Sequence, residues 1–222
     1  MTTAAYHQII DALFGVSPYA GFAGPAGDPA PPGWGENNPV FERLIREIRP
    51  QLIVEVGSWL GASAIRMARH LGEQGISGTI VCVDTWLGSP VHWRTAEYRG
   101  ELRVVNGYPQ LYYAFLANVM AAGYAGIILP LPQPSDSAAR ILTELKLQPQ
   151  LVYIDADHEA MSVYSDLTNY WPLVASGGVM FGDDFIANWP GVVRAVRMFA
   201  AKLGVQPEIV GDKWIIRKDG GR

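Results

Sequence analysis

The sequence is poor in cysteine and in charge: Cys82 is the only cysteine of 222 residues, and charged side chains make up 17%. A lone cysteine excludes an internal disulfide and a cysteine-built zinc site, and its apolar setting, Val81-Cys82-Val83, marks an inert core thiol of a reducing compartment. Basic residues are few as well. Seventeen Lys and Arg against 21 Asp and Glu give a formal charge of −4. That balance lacks the basic footprint that displaces counterions from nucleic-acid phosphates. The stretch Met1 to Gly15 has no basic region and carries Asp11 within its apolar part, so no signal peptide is expected and the location expected is cytoplasmic. Long apolar runs are nearly absent. In Leu111 to Leu129 the one clearly polar side chain is Asn118, and the window approaches the roughly 20 residues of a membrane span. Gly123 and Gly126 split it and Pro130 and Pro132 follow, so it reads as a buried helix and then a strand, with no membrane as partner.

What the chain does have is apolar residues, 49%, together with 24 Gly and 16 Pro. This describes one domain with a large core and many turns, and excludes long coiled coils. Short apolar runs recur at Leu52–Val56, Thr79–Val83, Ile127–Leu131, Leu151–Ile154 and Val179–Phe181, each suited to a strand buried on both faces. Helical spacing fills the intervals. Examples are Phe41, Leu44, Ile45 and Ile48 before the first strand, and Val193, Val196, Phe199 and Leu203 after the fifth, bounded by Pro190 and Gly204. Glu208–Val210 and Lys213–Arg217 flank Gly211-Asp212, a hairpin signal. The expected fold is therefore α/β: a Rossmann-like, doubly wound, seven-stranded sheet, mostly parallel, with a C-terminal antiparallel hairpin. Residues 1–40 stand apart. Met1 to Phe14 suit a short helix, and Gly15 to Pro39 form a Gly/Pro-rich segment ending near Trp34, either a lid over a ligand or an arm packed on the core.

In such sheets ligands gather at the carboxyl ends of the strands, near the switch in strand order. After the first strand the chain reads Glu55-Val56-Gly57-Ser58-Trp59-Leu60-Gly61 and opens a helix. Gly57 permits close backbone approach, Gly61 close packing, and Glu55 is a candidate partner for a cationic ligand group. The Gly-Lys-Ser/Thr ending of a P-loop is missing. After the second strand stands Asp84, an acid placed to accept from ribose hydroxyls. The fourth strand ends Ile154-Asp155-Ala156-Asp157-His158 and the fifth Gly182-Asp183-Asp184-Phe185. If these strands are adjacent, their carboxylates crowd one rim, where a divalent cation such as Mg²⁺ would relieve the repulsion. Helix capping is the alternative role for such aspartates.

The run from Ile53 through Gly57 to Gly61, followed by Val83-Asp84, resembles the first two motifs of the class I S-adenosylmethionine-dependent methyltransferases. That resemblance implies that Glu55 and the glycine loop hold the methionine part of the cofactor and that Asp84 binds its ribose. By position, Ser135-Asp136-Ser137 falls where the family contacts adenine. The family's usual loop has a glycine where Ser58 stands. The implied cofactor set is Glu55, Gly57, Ser58, Gly61, Asp84, Trp86, Ser135, Asp136, Ser137 and Asp155. The pattern Ile-Asp-x-Asp-His, then Gly-Gly and Asp-Asp-Phe, is similar to metal-dependent O-methyltransferases of macrolide and aminocoumarin sugars, the macrocin O-methyltransferase-like group, and to the cephalosporin-hydroxylase-like group. This implies Asp155, Asp183 and Asp184 as ligands of Mg²⁺ or another divalent cation, with Asp157 as general base. His158, which the sugar enzymes usually lack, is a rival base or a helix cap.

The expected reaction is methyl transfer to a hydroxyl of a small molecule, a sugar, polyketide or phenol, and a homo-oligomer is left open. Aromatic residues between Trp86 and Tyr113 suit a ring-shaped acceptor, and equally a core or a dimer contact. Two other classes share the βαβ start: an NAD-dependent oxidoreductase, which leaves the four aspartates unexplained, and a catalytically silent nucleoside-binding or assembly protein.

Overall fold

A computed structural model describes residues 2–33 and 38–220; Trp34, the aromatic of the expected lid, lies outside them. In chain order the elements are α1 (Ala4–Ile9), α2 (Val40–Ile48), β1 (Leu52–Val56), α3 (Ala62–Glu73), β2 (Thr79–Asp84), α4 (Pro90–Arg94), α5 (Ala96–Arg99), α6 (Leu111–Ala121), β3 (Ile128–Pro132), α7 (Ser135–Glu144), β4 (Leu151–Ile154), α8 (Ala160–Tyr170), β5 (Val179–Gly182), α9 (Pro190–Leu203), β6 (Glu208–Val210) and β7 (Lys213–Arg217). The sheet has seven strands in the order β3-β2-β1-β4-β5-β7-β6. Strands β1 to β5 pair in parallel, while β7 pairs antiparallel with β5 and β6, as the sequence pattern predicts. Pro130 and Pro132 are tolerated in β3 because it is an edge strand.

The strand pleat divides the core in two. Leu52, Val54 and Val56 of β1 face one apolar layer with α1, α7, α8 and α9, while Ile53 faces the other with α2, α3 and α6. Residues 111–129, the window that approached a membrane span in length, form the buried helix α6 and the start of β3, and among the described residues no helix is long and apolar enough to cross a membrane. The described part of the N-terminal segment packs on the body: the Tyr19 hydroxyl donates to the Ile128 carbonyl at 2.9 Å, and the Asp28 amide to Asn118 Oδ1 at 2.8 Å. The strand order reverses between β1 and β4, so the crevice lies where the loops after these two strands meet.

Candidate active site

Those two loops touch. Gly57 has φ +87°, and a Cβ there would stand 2.0 Å from the Asp155 carbonyl oxygen, so only glycine lets the β1–α3 loop lie against the β4–α8 loop. Gly61, with φ +90°, starts α3 against the Phe115 ring. Asp84 holds the same loop from β2. Its Oδ2 accepts from the backbone amides of Ser58 and Trp59, both at 2.9 Å, and its Oδ1 from the Trp86 amide at 2.8 Å. Asp84 is half-buried, and beside the Trp86 amide its Oδ1 keeps a lone pair with capacity for a further donor.

Glu55 is placed differently from a rim residue. On β1 it shares the parity of Ile53, so its side chain turns under α3 and is fully buried. Its carboxylate accepts from the hydroxyls of Ser58 at 2.7 Å and Ser63 at 2.5 Å and from the Cys82 thiol at 3.3 Å. Burial raises its pKa, and the three hydrogen bonds oppose that rise. Glu55 therefore fastens the loop to the sheet from below. Trp86 is likewise in the core, with its indole N–H on the Trp59 carbonyl at 2.8 Å and its ring against Tyr112 and Phe115. At the start of α7 the Ser135 hydroxyl donates to the buried Asp166, whose pKa burial pushes up to about 6. Asp136 pairs with Arg140 on the surface of that helix, and Ser137 is half-buried beside it.

The strand ends of β4 and β5 do bring Asp155, Asp157, His158, Asp183 and Asp184 around one small cavity, which Trp214 also lines. Each carboxylate has a protein partner. The single Tyr153 hydroxyl proton is shared between Asp155 Oδ2 at 3.0 Å and Asp183 Oδ2 at 3.3 Å; burial and the two carboxylates raise the phenol's pKa, which keeps it a donor. Asp183 also accepts the Asp184 amide at 2.8 Å and forms an ion pair with Lys213, a fully buried lysine. Asp184 Oδ2 lies 2.8 Å from His158 Nε2. Burial, then repulsion from Asp183 and Asp184, raises Asp155 to about 7.

The expected metal site meets this arrangement unfavourably. Mg²⁺ requires several oxygens converging in near-octahedral geometry. Here Asp183 and Asp184 aim at protein donors, and among the described residues no group of three or more His, Cys, Asp or Glu side chains is arranged to hold a metal.

The two candidate bases separate by geometry. Asp157 Oδ1 accepts the amides of His158 at 2.7 Å and Glu159 at 3.3 Å, closing the turn ahead of α8, whose own N-cap position is Glu159. Burial alone would raise its pKa, but bonds from Ser162 and these amides outweigh it, and the carboxylate is the weaker base for it. His158 is held by Asp184 on its edge and by Trp189 on its face, the ring centroids 3.9 Å apart and 18° from parallel. The Asp184 hydrogen bond raises its pKa against the opposing effect of burial. Lys213 and Tyr153 went unread in the sequence as site residues. The signal for Lys213 is register: β5 pairs Gly182 with Trp214, so one further step along the antiparallel ladder sets Asp183 opposite Lys213.

A family described as a methyltransferase domain matches residues 54–185, the span from β1 to the end of the β5 rim. No curated relative matches the chain significantly. Similar solved structures include an O-methyltransferase from Bacillus cereus in complex with S-adenosylhomocysteine, 16% identical over 96% of both chains with a TM-score of 0.55. A calicheamicin methyltransferase is 20% identical over 80% of this chain and 76% of its own, TM-score 0.59. An O-methyltransferase of tomaymycin synthesis from Streptomyces achromogenes, in complex with S-adenosylmethionine, is 17% identical over 82% and 78%, TM-score 0.55. At these identities the likeness is one of fold.

Proposed function

Since the chain belongs to the methyltransferase-domain family, we propose that it transfers the methyl group of S-adenosylmethionine to a hydroxyl of a small molecule, with His158 as the general base. The observation that carries this reading is the contact of Gly57 with the Asp155 carbonyl, which sets the expected cofactor loop beside the loop that bears His158. The fold neighbours from calicheamicin and tomaymycin chemistry support a small hydroxylated acceptor, a sugar, polyketide or phenol.

S-adenosylmethionine, when bound, supplies an electrophilic methyl on a sulfonium. The residues fitted to hold it are the backbone of Gly57 to Gly61, with its α3 amides, and the free capacity of Asp84 Oδ1. An alcohol is a poor nucleophile until its proton is drawn away. With Asp184 ionised, His158 donates from Nε2 and keeps its lone pair on Nδ1, the atom that takes the acceptor's proton. Asp184 then stabilises the imidazolium, and Trp189 fixes the ring plane. Holding acceptor and base on one rim supplies the orientation on which such a displacement depends. A labelled-methyl screen over sugars, polyketides and phenols, run on the wild type and on His158→Gln, tests the reading: transfer that His158→Gln retains in full removes His158 from the role.

A further inference from the structure

Lys213 sets a positive charge in the wall of the aspartate rim at zero exposure. Three features hold it there. The β5–β7 ladder brings it opposite Asp183, with which it forms an ion pair, and Asp212 Oδ1 lies 3.7 Å away. Its ammonium stands 5.8 Å from the centroid of the Phe41 ring, within the aromatic group of Phe41, Tyr153 and Phe181. A lysine on a surface can swing aside; one enclosed by strand, ring and carboxylate has no solvated alternative.

We propose that the Lys213 ammonium is the resident cation of this rim, standing where the sequence resemblance implies a divalent metal, so that this chain carries out its chemistry without one. The proposal rests on reading the rim as the methyl-transfer site. Both Asp183 oxygens are engaged, Oδ1 by the Asp184 amide and Oδ2 by Lys213 and Tyr153. Asp184 is engaged by His158. A dication on Asp183 would have to displace these donors and then lie beside a buried like charge. The repulsion would be felt at the low effective dielectric of the interior. Lys213 also reaches Asp155 electrostatically, lowering its pKa against the stronger effects of burial and the neighbouring carboxylates. It thus offsets part of the repulsion among the three aspartates that a metal would otherwise relieve, and it leaves His158 to the proton.

The test is Mn²⁺ binding followed by electron paramagnetic resonance, which needs neither methyl donor nor acceptor. The failure of the methyltransferase reading, seen as absence of S-adenosylhomocysteine binding, is therefore distinguishable from failure here. Wild type is expected to leave the signal of equimolar Mn²⁺ undiminished. Lys213→Met, which frees Asp183, is expected to bind Mn²⁺ about tenfold more tightly or better, because the buried like charge is gone. The double variant Asp183→Asn/Lys213→Met removes both ends of the ion pair, leaves no unpaired buried charge, and should lose that gain. One Mn²⁺ per wild-type chain that the double variant releases would overturn the proposal, as would a folded Lys213→Met that takes up no more than wild type. Where Lys213→Met fails to fold, wild type against the double variant still decides.

Discussion

The indole of Trp189 lies flat on the imidazole of His158, the centroids 3.9 Å apart and the planes 18° from parallel, while Asp184 holds the ring's edge at 2.8 Å. Two constraints at right angles leave the ring little freedom. Replacing Trp189 with Ala removes the facial one and leaves the proposed proton acceptor in place. Because small misplacements of a reacting group are costly, kcat is expected to fall roughly ten- to a hundredfold. S-adenosylhomocysteine affinity should stay unchanged, since Trp189 follows β5 and not the glycine loop. Steady-state kinetics paired with calorimetry checks the split.

With His158 as the proposed base, Asp184 is expected to set the pH dependence. Its hydrogen bond is the chief cause of the raised His158 pKa, with burial opposing. A general base works when neutral, so the rate climbs as pH rises through that pKa and the acidic limb reports it. Asp184→Asn is the suitable variant, because position 184 has φ 62° and Asn tolerates the left-handed region. The limb should move to lower pH, with a reduced plateau from the loosened ring. A limb that does not move assigns the proton to another group.

Gly57→Ala tests the crevice itself. The added Cβ would meet the Asp155 carbonyl at 2.0 Å and hold a strained φ of +87°, so the glycine loop must shift away from the β4 rim. Left-handed backbone alone costs a non-glycine residue about 1–2 kcal/mol. Affinity for S-adenosylhomocysteine is expected to fall about tenfold or more, together with a lower melting temperature. Gly72→Ala, in open space on α3, is the control: affinity should stay unchanged and the melting temperature should hold or rise.

Asp166 gives a stability prediction with a definite sign. Its pKa is pushed up to about 6 by burial, the Ser135 hydrogen bond opposing. An acid whose folded pKa is raised resists ionising in the native state. Stability is therefore lost as pH rises from the unfolded value near 4 to about 6, and stays lower above it. Asp166→Asn keeps an acceptor for Ser135 and removes the charge. Thermal unfolding should show a gain of about 2–3 kcal/mol at pH 8 and almost none at pH 4. An equal gain at both values would detach the effect from ionisation.

The sheet was legible because parallel strands buried on both faces read as unbroken apolar runs, and Leu52–Val56 or Leu151–Ile154 need no partner to be recognised. The rim was legible for a related reason. Parallel strands deliver all their following loops to one edge, so Asp155 and Asp183 had to be neighbours once β4 and β5 were adjacent. Glu55 was not, because its direction depends on the pleat: standing one residue before the end of β1, it turns under α3 to Ser63 and Cys82 instead of reaching the crevice. Lys213 was hidden by register. A hairpin turn at Gly211-Asp212 fixes β6 against β7, and nothing local states which residue of β7 meets β5. The short helices α4 and α5 read as an aromatic-rich connection for want of length.

The central claim is that the crevice between β1 and β4 receives a sulfonium nucleoside. Calorimetric titration of the wild-type chain with S-adenosylhomocysteine tests it most directly. One site per chain is predicted, weakened by Asp84→Ala because Asp84 both holds the Ser58 and Trp59 amides and keeps acceptor capacity toward the ribose. A folded chain that releases or absorbs no heat with S-adenosylhomocysteine across a range of temperatures would contradict it.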